Sequence, residues 1–277
     1  MANILAFSGK KQAGKNTLCN FLHGYFLKSF GIIDAFEITE EGDLIIDTLV
    51  RDETGEEKKG KGIIDITRLD VPFAMWAMDN VWPFVKHYAF ATSLKEILVG
   101  LFNVPKESVY GTDEEKNAPT QYKWEDMPTK VKGKSGYMSG RELLQYFGTD
   151  ICRKIYSDVW TNKTLTDIKN EDSSFAIISD ARFENEIKAV QAAGGKVIRL
   201  TRGESSDSHQ SETDLDKFDG YDAVIDTANL SIHESCKQLF DILYEWNWIP
   251  KEIAIGNPQD LESSNGNGKK QRFTNIK

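Results

Sequence analysis

Cysteine is scarce in this chain: the three residues Cys19, Cys152 and Cys236 among 277 are far apart and odd in number, which argues against a disulfide framework and for a reducing compartment. Free cysteine is among the most buried residue types, so all three read as core packing. Long apolar runs are missing as well, since no stretch approaches the roughly 20 residues of a membrane helix. Met1 to Ser8 runs straight into a strand with no basic n-region, h-region or cleavage site, so a cytoplasmic location is expected. Positive charge is in deficit: 34 Lys and Arg against 43 Asp and Glu leave a net −9, too negative for a global field that would hold a nucleic-acid polymer or an anionic membrane. Local basic clusters remain open. What is present is a 40% hydrophobic content over 277 residues, sufficient for one large α/β domain or two small ones.

Along the chain, Asn3 to Ser8 is an apolar run of the kind buried on both faces of a parallel sheet. In the helix that follows, Leu18, Phe21, Leu22, Tyr25 and Phe26 form one stripe. Residues 36–66 alternate and carry turn chemistry at Glu41-Gly42-Asp43, which reads as a β-hairpin insertion. A second core strand is expected over His87 to Ala91, and capping-box spacing predicts helix starts at Ser93, Ser139 and Ser231. Phe175 to Ser179 is a third strand, followed by a helix to Ala193 stopped at Gly194-Gly195. Lys196 to Thr201 and Ala223 to Asp226 supply two more. Strands alternating with helices indicate an α/β fold with a parallel sheet built by right-handed crossovers. The expected organisation is one domain over 1–256 and a disordered tail over 257–277, rich in Ser, Asn and Gly.

Gly9, Lys10, Lys11, Gln12, Ala13, Gly14 and Lys15 fit the first seven positions of a phosphate-binding P-loop, placed between a strand and a helix. Glycines let the backbone N–H groups turn toward a β-phosphate, the helix N-terminus adds its dipole, and Lys15 can reach the β- and γ-phosphates. The next position, where Ser or Thr usually ligates Mg²⁺, is Asn16, followed by Thr17. Either the metal is held through water or Thr17 substitutes.

Phosphoryl transfer is catalysed mainly by positioning and positive charge, so a kinase needs further arginines converging from outside the loop. Asp180 and Arg182 follow a buried strand at its C-terminal end, where open α/β sheets bind ligands. There Asp180 can order Mg²⁺ or its waters, and Arg182 can clamp an acceptor phosphate. Arg141 and Arg153 flank a helical segment that carries Gln145, with ordinary solvated helix charge as the alternative reading. Arg202 leaves the fourth strand toward a polar stretch, 203–220, with the composition of a lid.

Four blocks together resemble the phage-type deoxynucleoside monophosphate kinases: Phe7 to Thr17, Phe90 to Phe102, Arg141 to Arg153, and Ile178 to Arg202. They span a little under half the chain. The resemblance implies a nucleoside-monophosphate-kinase-like P-loop fold of three layers around a five-stranded parallel sheet, ATP with Mg²⁺, a deoxynucleotide acceptor and, for a phage protein, the host cytoplasm. It puts Arg182 in the acceptor-phosphate position, Arg141 in the monophosphate-binding segment and Arg202 at the lid; with the residue reading above, the expected catalytic set is Lys15, Asp180 and Arg182, and the expected ATP site is Gly9 to Thr17 with Arg202. The acceptor is expected on Lys95, Arg141, Gln145, Arg153 and Arg182, within an acceptor-binding helical region over 93–160, and the metal on Asn16, Thr17 and Asp180, a non-Ser/Thr residue at the Asn16 position being usual in the family. The insertion 36–66 and the tail have no counterpart in the family pattern. Partners are expected to be small molecules, with a homodimer left open. Two other readings stay in view: a P-loop kinase for another phosphorylated acceptor, of the phosphomevalonate or dephospho-coenzyme A type, and a non-catalytic nucleotide-binding module.

Overall fold

The computed structural model describes residues 2–51, 56–68, 70–129, 131–202, 214–215 and 217–249. The tail expected over 257–277, and residues 203–213 and 216 of the expected lid, lie outside the described residues.

The strands of the central sheet are β1 (Asn3–Ser8), β5 (Val85–Tyr88), β8 (Phe175–Ala181), β9 (Lys196–Leu200) and β10 (Ala223–Ile225). All pair in parallel in the order β10-β9-β1-β8-β5. Because strand side chains alternate between faces, Leu5 and Phe7 join one core with α1 (Lys15–Ser29) and Leu239 of α10 (Ile232–Glu245). Ile4 and Ala6 join a second core with Leu98 of α3 (Thr92–Gly100) and Ile187 of α9 (Glu184–Ala192). The sheet is thus covered on both sides, which is why Ile4 to Phe7 of β1 and Phe175 to Ile178 of β8 read as unbroken apolar runs.

The insertion is an antiparallel sheet of β2 (Phe36–Ile38), β3 (Leu44–Arg51) and β4 (Glu57–Ile64). It docks on α1, where a Cβ at Gly24 would lie 2.4 Å from the Phe36 ring, so only glycine admits this approach. Its β2–β3 turn reaches the first turn of α1: Asn20 Nδ2 donates to Gly42 O at 2.8 Å, and a Cβ on Gly42 would lie 2.3 Å from Thr17 Oγ1. Beyond β4 come α2 (Val71–Asn80), and beyond α3 the short α4 (Glu107–Tyr110) and α5 (Asp113–Asn117).

Three local expectations are corrected. The second core strand is Val85–Tyr88, not His87 to Ala91. Helix α3 starts at Thr92 without a capping box at Ser93, because the Asp180 carboxylate, 89 and 90 residues away, accepts from Ala91 N at 3.0 Å and Phe90 N at 2.7 Å. The region 93–160 is not wholly helical: β6 (Pro119–Lys123) and β7 (Tyr137–Ser139) pair antiparallel within it. After β7, α6 (Gly140–Gln145) runs into a π-helical segment, Tyr146–Cys152, before α7 (Arg153–Ile155) and α8 (Val159–Glu171). The wider π turn leaves Gly148 O to accept from Trp160 Nε1 at 3.1 Å. The boxes at Ser139 and Ser231 form with both bonds present. Cys19 and Cys236 are buried, Cys152 is half-buried, and all three are free. Among the described residues no helix is long and apolar enough to cross a membrane.

Two histidines on facing elements give the fold a defined acid response. His23 of α1 is buried with its Nδ1 2.8 Å from Cys19 O, and His87 of β5 lies 2.7 Å from Ser179 Oγ. Burial above all pulls their pKa values from 6.5 down to about 3 and about 4. Between those values and about 6.5 the unfolded chain binds more protons than the folded one, so the stability they contribute is present above about 6.5 and lost as pH falls. The scale is about 1.4 kcal/mol per pH unit for each histidine. Urea titrations from about pH 7 to 5 should therefore show falling stability, with a shallower slope for His23→Gln. An unchanged slope in that variant would contradict the assignment.

Candidate active site

The carboxyl ends of β1 and β8 lie side by side, and each sends a loop into one cleft of about 1040 Å³. From β1 comes the loop Gly9 to Thr17. A Cβ on Gly9 would meet Leu200 O at 2.9 Å and Ala13 Cβ at 3.0 Å, so the turn needs glycine. Gly14, at the N-cap of α1, sits at φ 90° and ψ 11°, the left-handed region that glycine enters without strain. The result is a helix N-terminus open to the cleft, the arrangement that binds phosphate. Lys15 Nζ donates to Gly9 O and Lys10 O, both at 2.7 Å, folding back over the loop. Burial, then the Arg182 charge, lowers its pKa to about 8 against the opposing pull of Asp180. Of the two candidate metal residues, Asn16 is exposed and Thr17 is half-buried against Gly42.

From β8 come Asp180 and Arg182. The Asp180 carboxylate is held by the two N–H groups at the start of α3, which fixes its position while each oxygen keeps a lone pair. Arg182 N donates to Glu186 Oε2 at 2.8 Å, and Phe183 N to the same oxygen at 3.0 Å. Glu186 is buried, and burial pushes its pKa up to about 7 in spite of these donors and Arg153. Arg153 donates to Glu186 Oε1 at 3.1 Å and Asn185 Oδ1 at 2.5 Å, and its guanidinium lies 3.7 Å from the Phe183 ring centroid. Its described contacts therefore run to α9 and the turn before it.

The remaining expected residues converge on the same space. Lys95, Arg141, Gln145 and Arg202 all line the cleft. Lys95 Nζ sits 4.8 Å from the Tyr110 ring centroid, and burial lowers its pKa. Arg202 Nη2 lies 3.4 Å from Leu230 O. A chain with net charge −9 thus gathers Lys11, Lys15, Lys95, Arg141, Arg182 and Arg202 around one cleft, a local field suited to phosphates. Among the described residues no group of three His, Cys, Asp or Glu side chains is placed to hold a metal by itself. One fixed carboxylate facing a phosphate loop is nevertheless what Mg²⁺ uses, since it keeps several waters and takes its other ligands from substrate phosphates.

Some cleft residues were not anticipated. Thr227, just past β10, donates to Ala13 O at 3.0 Å and accepts from Arg202 N at 3.2 Å, tying the loop to the base of the 203–220 stretch. The strand-end rule that singled out Asp180 applies equally to Thr227. Glu186 occupies the third position of α9, a capping position visible in sequence. The insertion and the segment after it also reach the cleft, through Glu40, Glu41, Thr67 and Arg68.

A family model described as deoxynucleotide monophosphate kinase matches residues 84–237, more than half of the 277. The chain belongs to the deoxynucleotide monophosphate kinase family. A protein of Acanthamoeba polyphaga mimivirus named "Putative deoxynucleotide monophosphate kinase" is 29% identical over 168 residues, 54% of this chain and 79% of its own length. The matched stretch of the kinase begins after the phosphate loop and contains Lys95, Arg141, Arg153, Asp180, Arg182 and Arg202. Loop geometry, which describes a phosphate-binding site, and family membership, which describes a nucleotide-using phosphotransferase, are therefore independent observations.

Proposed function

We propose that the protein transfers the γ-phosphoryl of ATP to the phosphate of a deoxynucleoside 5′-monophosphate, releasing ADP and the deoxynucleoside diphosphate. An oxygen of the acceptor phosphate forms the new bond to the γ-phosphorus while the bond to the β–γ bridging oxygen breaks and its electron pair stays on ADP. The observation that carries this reading is the single cleft in which the loop Gly9 to Thr17 faces Arg141, Lys95 and Arg182. Such a site holds two phosphate groups in line and surrounds the moving one with fixed cations.

In this reading the N–H groups of Gly9 to Thr17 cradle the donor phosphates, and Lys15 leaves the Gly9 and Lys10 carbonyls for the β- and γ-oxygens. Arg202 serves the ATP site beside the loop, to which Thr227 ties it. Arg141, Lys95 and Gln145 receive the acceptor, and Arg182 follows the transferred group. Arg153 supports the site through Glu186, whose carboxylate fixes the Arg182–Phe183 backbone. Asp180, with Thr17 or Asn16 through water, would hold Mg²⁺, which would offset the negative charge of the donor phosphates. The test is a coupled ADP-release assay over the ribo- and deoxynucleoside monophosphates, with phosphomevalonate and dephospho-coenzyme A as comparators. The expected result is efficient turnover of at least one deoxynucleoside monophosphate and none of the two comparators. Preference for either comparator would contradict the acceptor assignment.

A further inference from the structure

Asp113 opens the short helix α5, whose start is fixed by the Thr112–Glu115 capping box. Its carboxylate lies between the two halves of the cleft. One oxygen, Oδ2, is 2.5 Å from Nζ of Lys11 in the donor loop, and the other, Oδ1, accepts from Arg141 Nη2 at 2.8 Å. Asn117, one turn along α5, accepts from Arg141 Nε at 3.0 Å. A guanidinium presents five N–H groups in a rigid plane, so these two bonds from one helix set both its plane and its rotation. Three N–H groups remain for the cleft that Arg141 lines.

The surrounding charges point the same way. Lys116, on the same helix, has its pKa lowered first by burial and then by the Arg141 charge, with Asp113 opposing. The hydrogen bond from Lys11 leads the causes that hold the Asp113 carboxyl below its ordinary range, so it stays ionised. Without that carboxylate, Lys11, Lys116 and Arg141 would lose the anion that opposes their mutual repulsion.

We propose that Asp113 is a positioning residue for phosphoryl transfer, orienting Arg141 toward the acceptor phosphate and anchoring that orientation to the donor loop through Lys11. The inference rests on the reading that Arg141 holds the acceptor phosphate. Lys11, Asp113 and Arg141 are 45%, 48% and 32% exposed, and exposed pairs contribute little to folding stability. The effect therefore belongs in acceptor binding and not in melting temperature.

The experiment measures KM for the monophosphate, kcat and melting temperature for the full chain carrying Asp113→Asn, Asp113→Glu, Arg141→Ala, and Asp113→Asn with Arg141→Ala. Asp113→Asn should raise the acceptor KM about fivefold, equivalent to about 1 kcal/mol at 1.4 kcal/mol per tenfold. It should leave kcat and melting temperature near wild type. Asp113→Glu, which keeps the charge, should restore most of the loss. The double variant should match Arg141→Ala alone, because the carboxylate acts through that arginine. If Arg141→Ala raises KM but Asp113→Asn leaves it unchanged, lowers it, or adds its full effect on top, the positioning role is overturned while the acceptor site stands. If Arg141→Ala itself leaves KM unchanged, the acceptor reading of Arg141 fails, and the positioning role with it.

Discussion

Replacing Lys15 by alanine is expected to lower kcat by about 10²-fold or more, the scale on which losing a single charge-stabilising donor acts in a preorganised site. The side chain leaves no cavity in the core, because its ammonium is spent on the Gly9 and Lys10 carbonyls at the edge of the cleft. Folding should consequently be preserved. Its partial burial, and the lowered pKa that follows from burial and the Arg182 charge, describe a cation kept short of water beside a second positive charge. Such a cation gains most from a phosphate whose charge grows in the transition state. Steady-state kinetics beside a thermal melt check this. A variant that melts like wild type and keeps more than about a tenth of kcat would remove Lys15 from the chemistry, given the usual size of such losses.

Arg182→Ala carries the second large expected effect, on the acceptor side. Truncating a charge-assisted bond to phosphate costs about 1.5–3 kcal/mol, so kcat/KM for the monophosphate should fall roughly 10- to 150-fold. Equilibrium ATP affinity should barely move. A fall in kcat together with a rise in KM is expected here, because Arg182 lies two residues from Asp180 and its charge acts on Lys15, which brings it alongside the transferring group. Measuring both KM values and ATP affinity separates the two sites: equal weakening of ATP and acceptor would assign Arg182 to the donor.

Much of this architecture is legible in sequence wherever local pattern and burial agree. Strands β1 and β8 carry apolar runs because both faces are covered, and α1 shows its stripe because one side faces the sheet. The loop Gly9 to Lys15 is readable because backbone geometry dictates its glycines, and the boxes at Ser139 and Ser231 because their partners are three residues away. Illegible features depend on distant residues. The start of α3 falls at Thr92 and not after Ser93, and Asp180 of β8 holds the N–H groups of the preceding Phe90 and Ala91. The π turn at Tyr146–Cys152 sets Gly148 against Leu94 and Trp160, contacts that no 3.6-residue period encodes. Asp113 and Asn117 lie 28 and 24 residues from the Arg141 they hold, and nothing between them in sequence marks the pairing. The insertion is recognisable as hairpins, but its place against Thr17 and along the cleft emerges only from docking on Gly24.

The most direct test of phosphoryl transfer between two bound phosphates follows the phosphorus itself. The protein is incubated with ATP labelled at the γ-phosphate and a deoxynucleoside monophosphate, and the products are separated by chromatography. The expected result is label at the β-position of the deoxynucleoside diphosphate, with ADP formed in equal amount. Label recovered only as free phosphate, or remaining in ATP for every monophosphate supplied, would contradict it.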